Sequence, residues 1–140
     1  MKKNIGYITR HDINNWNIPQ KVQTAAIQYF ANLKKKQLSY IVTEYLDSKN
    51  NALLIYNLKH DKKIENIFFL SVFQLKLNIS NFSILNKVNL YFYLENIFIS
   101  KSRSLNNLIE YLKKTKNIKK VNFNKKNYLD IFKNYEIHRF

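Results

Sequence analysis

The sequence predicts a three-layer α/β domain of Rossmann-like or flavodoxin-like type, with a mainly parallel sheet of about four strands. Three observations lead there. Apolar runs of strand length alternate at least four times with segments of helical period, the pattern of a parallel sheet covered by helices on both faces. One run, residues 67–70, is continuously apolar, as strands buried on both faces are. The chain has 140 residues, 46% hydrophobic and 15% aromatic, which is enough for one core and too apolar for disorder.

The elements follow in order. Residues 3–9 read as the first strand. From Pro19, the positions Val22, Ala25, Ala26, Tyr29, Phe30 and Leu33 keep the i, i+3, i+4, i+7 spacing of an amphipathic helix. Asn17 is placed to cap it, and Pro19 suits its first turn. "LSYIVTEY" (38–45) is a second strand, rich in β-branched and aromatic residues. Residues 50–60 form a helix with Leu54 and Leu58 on one face. "IENIFFLSVF" (64–73) is the third strand, 80–87 a short helix, and "KVNLYFYLEN" (87–96) the fourth strand. Ser102 or Ser104 caps a last helix with Leu105, Leu108, Ile109 and Leu112 inward, and "NYLDIFKNY" reads as one more short helix. Residues 1–117 are expected to be the α/β domain, and 118–140 a basic, aromatic extension packing on it or trailing it. No internal repeat stands out, and one Gly and one Pro leave no obvious linker.

Composition narrows the chemistry. There is no cysteine, hence no disulfide framework and no Cys-based zinc site. The three histidines, His11, His60 and His138, lack metal-ligand spacing, so no metal is expected. Gly6 is the single glycine, which argues against a phosphate-cradling loop and a dinucleotide cofactor. The start of the chain lacks a signal-peptide apolar run. The greasiest window, "IFFLSVFQLKLNI", is interrupted by Lys76 and too short to cross a bilayer. A cytoplasmic protein with no transmembrane segment is the expectation. The net charge of +15 invites a nucleic-acid reading. Yet 21 Lys, 21 Asn and 17 Ile look like a coding bias acting along the whole chain. Only three of the 24 basic residues are Arg, the side chain suited to bidentate phosphate and guanine contacts. The densest basic stretch is "KKTKNIKKVNFNKKN", residues 113–127, a solvated face or an anion-binding patch.

In open parallel sheets ligands sit beyond the carboxyl ends of the strands. Each expected strand ends there in polar residues: Thr9, Arg10 and His11; Thr43 and Glu44; Ser71 and Gln74; Glu95. One crevice would then gather a cation, two carboxylates, a hydroxyl and an imidazole. Glu44 and Glu95 are candidates for a general acid and base, with Glu44 preferred. Ser71 is a candidate nucleophile, although it lacks the G-x-S-x-G elbow. Arg10, His11, Gln20, Gln23, Thr43 and Gln74 are candidate ligand-binding residues, with Gln20 and Gln23 lying where free helix amides meet anions. Each has a plain alternative: Arg10 as an ion-pair partner, a strand-end glutamate as a helix cap.

"GYI" with Arg10, "IPQKVQ" (18–23), Tyr29, "LSYIVTEY", "SVFQL" (71–75) and "YFYLE" (91–95) occur in that order. This order resembles the sporadic carbohydrate cluster protein family, over about residues 5–112. Thr9 stands where that pattern has Ser, Lys76 where it has Pro, and Tyr91 where it has His. The resemblance implies a role in making bacterial surface polysaccharide such as O-antigen or capsule. A sugar or nucleotide-sugar ligand and glycan-pathway enzymes would be its partners. "GYITR" followed by a Gln-containing helix also resembles the start of the serine-recombinase catalytic domain, with His11 where that family's nucleophilic serine stands. That resemblance implies a related small α/β fold without the transesterification chemistry. The residues thus leave three readings: a glycan-pathway protein binding its ligand at the strand ends, a nucleic-acid-binding module, and a non-catalytic scaffold. A homo-oligomer is compatible with each.

Overall fold

Five strands form one sheet in the order β2-β1-β3-β4-β5. The computed structural model describes residues 1–13, 16–46, 49–76 and 79–101, without the side chains of 79–82. The elements are β1 Lys3–Thr9, α1 Gln20–Leu33, β2 Tyr40–Glu44, α2 Ala52–His60, β3 Ile64–Phe69, β4 Asn89–Phe92 and β5 Ile97–Ile99. Short 3₁₀ segments cover Val72–Gln74 and Ile79–Lys87. β1 runs parallel to β2 and β3, and β3 runs parallel to β4. β5 turns back antiparallel on β4, pairing Leu90 with Ile99 and Phe92 with Ile97. The order 2-1-3-4-5 is that of flavodoxin-like sheets, whose strand order reverses between β1 and β3.

The sequence-predicted α/β fold is therefore present, with five strands rather than about four. The difference lies in residues 87–96, which end as a strand at Phe92 and turn at Asn96, whose φ of 53° is left-handed. Asparagine is among the few non-glycine residues that tolerate that region. The expected third strand also stops early, at Phe69, because Ser71 opens a 3₁₀ turn. The expected helix from Ser102 or Ser104, the "NYLDIFKNY" helix and the 117/118 boundary lie outside the described residues.

Each sheet face has its own core. Ile5, Tyr7, Val42, Ile67, Phe69, Leu90 and Phe92 pack with Leu54 and Leu58 of α2 and with Leu85. On the other face Ile8 and Phe68 meet Ile27, Phe30 and Ala31 of α1. The buried side of α1 comprises Gln23, Ala26, Ile27, Phe30 and Ala31, whereas Tyr29 and Leu33 are exposed. The helix is thus rotated from the face read in the sequence. Gly6 is the reason α1 can lie so close: a Cβ there would meet Ile27 Cγ2 at 3.0 Å and Ile41 Cγ1 at 3.2 Å. Pro19, not Asn17, occupies the cap position, and its carbonyl accepts from the Val22 and Gln23 amides. Among the described residues no helix is long and apolar enough to cross a membrane.

Candidate functional site

Parallel strands bring Thr9, Glu44 and Ser71 to one edge, where β1 pairs with β2 in the register Thr9–Glu44. The chemistry there is set by what each side chain already holds. Glu44 is buried at the end of β2, ahead of the loop that leads into α2. Its Oε1 accepts from Leu53 N at 2.9 Å, and its Oε2 accepts from Leu54 N at 3.3 Å and from the Tyr7 hydroxyl at 2.8 Å. It caps a helix whose own cap residue, Asn51, makes no side-chain cap bond, and it sits where the helix dipole favours negative charge.

Tyr7 and Asn51 extend this network; neither was a candidate site residue in the sequence, although Tyr7 stands in the "GYI" motif. Asn51 Nδ2 donates to the Tyr7 hydroxyl at 2.7 Å and to the Gln74 carbonyl at 2.8 Å, and its Oδ1 accepts from Lys76 N at 2.6 Å. Burial is the main force raising the Tyr7 phenol pKa, with the Glu44 carboxylate adding to it. The doubled asparagine "NN" ahead of an apolar helix was the available signal. Asn50 and Asn51 both take a φ of 54°, a conformation asparagine tolerates.

The crevice between β1 and β3 is the place where the strand order reverses. It is filled by two glutamines. Gln23, from α1, accepts from Thr9 N at 3.0 Å and donates to the carbonyls of Thr9 at 2.7 Å and Ile18 at 2.8 Å. Gln74 accepts from the amides of Leu70 and Ser71 and donates to the Tyr7 carbonyl at 3.2 Å. Its amide also lies 3.4 Å from Gln23 Oε1. Both side chains are fully buried. Their amides satisfy backbone groups that a ligand would otherwise meet. Thr9 Oγ1 is buried beside them without a hydrogen-bond partner.

Ser71 and Glu95 make a second group. The Ser71 hydroxyl donates to Glu95 Oε2 at 2.9 Å and accepts from Phe73 N at 3.1 Å, while Val72 N donates to Glu95 Oε1 at 2.6 Å. Desolvation pushes the Glu95 carboxyl up to about 7, against the lowering effect of those bonds. This places a titratable carboxyl near neutrality beside a hydroxyl. Ser71 is nevertheless fully buried and engaged in a capping box with Gln74. Glu44 and Glu95 do not meet: they lie beyond β2 and β4, which β1 and β3 separate, or roughly 14 Å at the usual strand spacing.

The remaining candidates form the outer rim. Arg10 and Gln20 are exposed, His11 and Thr43 are half-buried. His11 Nδ1 lies 3.1 Å from the Asp12 carbonyl. Burial lowers the imidazole pKa, with a further lowering by the Lys76 cation and opposing pulls from Asp12 and Glu44. No salt bridge of Arg10 occurs among the described residues. Nor do those residues hold a group of three His, Cys, Asp or Glu side chains able to bind a metal. The edge as a whole is a buried structural network beneath a thin, polar, weakly cationic rim.

Comparison with solved structures finds the crystal structure of the N-terminal catalytic domain of TP901-1 integrase similar to this chain. The TM-score is 0.56 at 14% sequence identity, over 83% of this chain and 98% of that one. A likeness at this identity shows the fold. It agrees with the fold-level resemblance to a recombinase catalytic domain read from "GYITR". No protein-family model matches the chain, and no curated protein does. The likeness to the carbohydrate cluster family therefore rests on the motifs themselves.

Proposed function

We propose that the chain is a nucleic-acid-binding module on a recombinase-like α/β scaffold, without strand-transfer chemistry of its own. The observation that carries this reading is the combination of a net charge of +15 with strand ends whose buried polar side chains, Thr9 Oγ1 apart, are hydrogen-bonded within the fold. Glu44, Gln23, Gln74 and Ser71 each serve backbone amides or carbonyls, which commits them to holding the fold. His11, at the position of the recombinase nucleophile, offers no hydroxyl for transesterification. What remains available to a partner is positive charge. Phosphate backbones answer to it without needing a pocket. The test is anisotropy of labelled DNA and RNA with the full chain. Binding in the micromolar range at low salt, weakening steeply as salt rises, is the expected result. No binding at low salt ends the reading.

A second reading, a role in surface-glycan synthesis, is favoured by one specific observation. Residues of the scattered motifs, Tyr7, Gln23, Glu44, Ser71, Gln74 and Glu95, fall into two linked hydrogen-bond groups at one sheet edge. Convergence of this kind is what a shared fold signature produces. In this reading Arg10, exposed on the rim, meets the anionic part of a nucleotide-sugar. Arg10→Ala would then fold normally and fail to restore glycan in a deletion strain. Full complementation by that variant would remove Arg10 from any such site.

A further inference from the structure

Among the described residues the lysines are not spread evenly over the fold. The described residues include thirteen of them. Lys2 and Lys3 begin β1, Lys34, Lys35 and Lys36 follow α1, and Lys59, Lys62 and Lys63 surround the passage from α2 to β3. Lys87 closes the 3₁₀ segment before β4, and Lys101 follows β5, which runs back towards the start of β4. Because β1 to β4 are parallel and the helices return antiparallel to them, all ten lie at the amino edge of the sheet, opposite the candidate site. Only two described carboxylates share that edge, Asp61 against Lys3 at 2.9 Å and Glu65 against Lys2 at 3.6 Å. Ten lysines against two carboxylates leave a net +8. Among the described residues the carboxyl edge holds Arg10, Lys21, Lys49 and Lys76 against Asp12, Glu44 and Glu95, a net +1.

The floor between these lysines is a row of amides. Asn4 Nδ2 donates to the Gln37 carbonyl at 3.1 Å, Asn66 Nδ2 to Asn4 Oδ1 at 2.7 Å, and Asn89 Nδ2 to Asn66 Oδ1 at 2.9 Å. Asn89 Oδ1 closes the row by accepting from Lys101 N at 2.8 Å. Every bond points the same way across β1, β3 and β4, an arrangement in which successive dipoles reinforce one another. The row fixes the ends of the strands, and with them the backbone from which the lysines project.

We propose that this amino edge is the surface that binds nucleic acid, through its phosphate backbone and without base selection. The proposal rests on the nucleic-acid reading and places it on the face away from the strand-end network. Five strands at the usual spacing make a rim of roughly 19 Å. A duplex presents about eleven phosphate charges over that length, a number the edge charge can largely neutralise. Lysine without arginine suits point-charge contact with a backbone. Among the described residues Leu33 and Met1 are the exposed large apolar side chains beside these lysines, too few for the apolar face that insertion into a lipid surface needs, which favours a nucleic acid.

The experiment compares the full chain with three variants in salt-dependent binding of a labelled DNA duplex and a single strand. One variant carries Lys34→Glu, Lys35→Glu, Lys36→Glu, Lys62→Glu and Lys63→Glu. A control carries Lys21→Glu, Lys49→Glu and Lys76→Glu at the carboxyl edge. A third carries Lys119→Gln, Lys120→Gln, Lys125→Gln and Lys126→Gln. Circular dichroism and melting temperature verify that each is folded. The amino-edge variant is expected to lose about 100-fold or more in affinity and to flatten the salt slope, with the other two within a few-fold of the parent. Parent-like binding by the folded amino-edge variant overturns the edge assignment alone. Loss confined to the third variant does the same. Absence of binding by the parent overturns the broader reading with it, and binding to phosphatidylserine vesicles but to neither nucleic acid replaces the partner by a membrane.

Discussion

Glu95 carries a burden that most strand-end carboxylates avoid. Its two oxygens accept from the Ser71 hydroxyl and the Val72 amide, yet desolvation dominates and lifts its pKa from 4.5 to about 7. Between those values the native state holds a proton that the unfolded chain has released, so stability falls as pH rises through that window. Each pKa unit is about 1.36 kcal/mol, and partial solvent contact reduces the total to roughly 2 kcal/mol. His11 acts in the opposite sense. Its folded pKa lies below 6.5, so the unfolded state binds more protons just under that value and stability rises there with pH. Glu95→Gln isolates the carboxyl: it keeps one carbonyl acceptor and removes the titration. The stability difference between parent and variant, from urea midpoints, should shift by about 2 kcal/mol in the variant's favour between pH 4.5 and pH 7.5. A difference independent of pH would show that Glu95 titrates at its ordinary value.

Between the elements, a chain with one glycine has to make its turns from other residues. Lys35, Asn50, Asn51 and Asn96 all take positive φ. At the end of α1, Lys36 N donates to the Ala31 carbonyl and Lys35 N to the Asn32 carbonyl, both at 2.9 Å, a closure that usually carries glycine at the left-handed position. Lys35 at φ 56° is strained by its Cβ, so Lys35→Gly should stabilise by about 1 kcal/mol, read as a higher urea midpoint with unchanged slope. At Gly6 the geometry works the other way. A methyl group there would press on Ile27 and Ile41, and Gly6→Ala should cost about 1 to 3 kcal/mol in the same assay. Strand and helix order was legible in the sequence because apolar period survives in any frame, and the run at 67–70 did prove central. The rotation of α1 was not legible: Ile27 and Ala31 face the sheet because Gly6 leaves room there, which is a property of the partner strand. Nor was the Tyr7–Glu44–Asn51 group, whose members stand up to 44 residues apart. The polar strand ends were visible, but which of them serve the backbone depends on helix amides that no local pattern displays.

At the scale of the molecule, covering is uneven in a way that fixes where it should open first. β1 and β3 occupy the middle of the sheet, paired on both sides and packed by α1 on one face and α2 on the other. β5 is a three-residue edge strand, and its Phe98 remains 52% exposed although it touches the Tyr91 ring at 4.7 Å between centroids. Local opening free energies scale with how much buried surface and how many hydrogen bonds the opening disrupts. Detaching β5 costs one antiparallel ladder, the burial of Ile99 and the partial cover of Tyr91. Detaching β3 costs two ladders, both cores and the Asn66 link between Asn4 and Asn89. Amide exchange followed by NMR should therefore place Ile67 and Phe68 among the slowest amides, exchanging only through global unfolding. The β5 amides that bond to β4 should exchange faster by about a thousandfold or more, a gap of about 4 kcal/mol. Equal protection in β5 and β3 would mean that the fold opens as one unit, and that the edge strand is held by contacts beyond the ladder with β4.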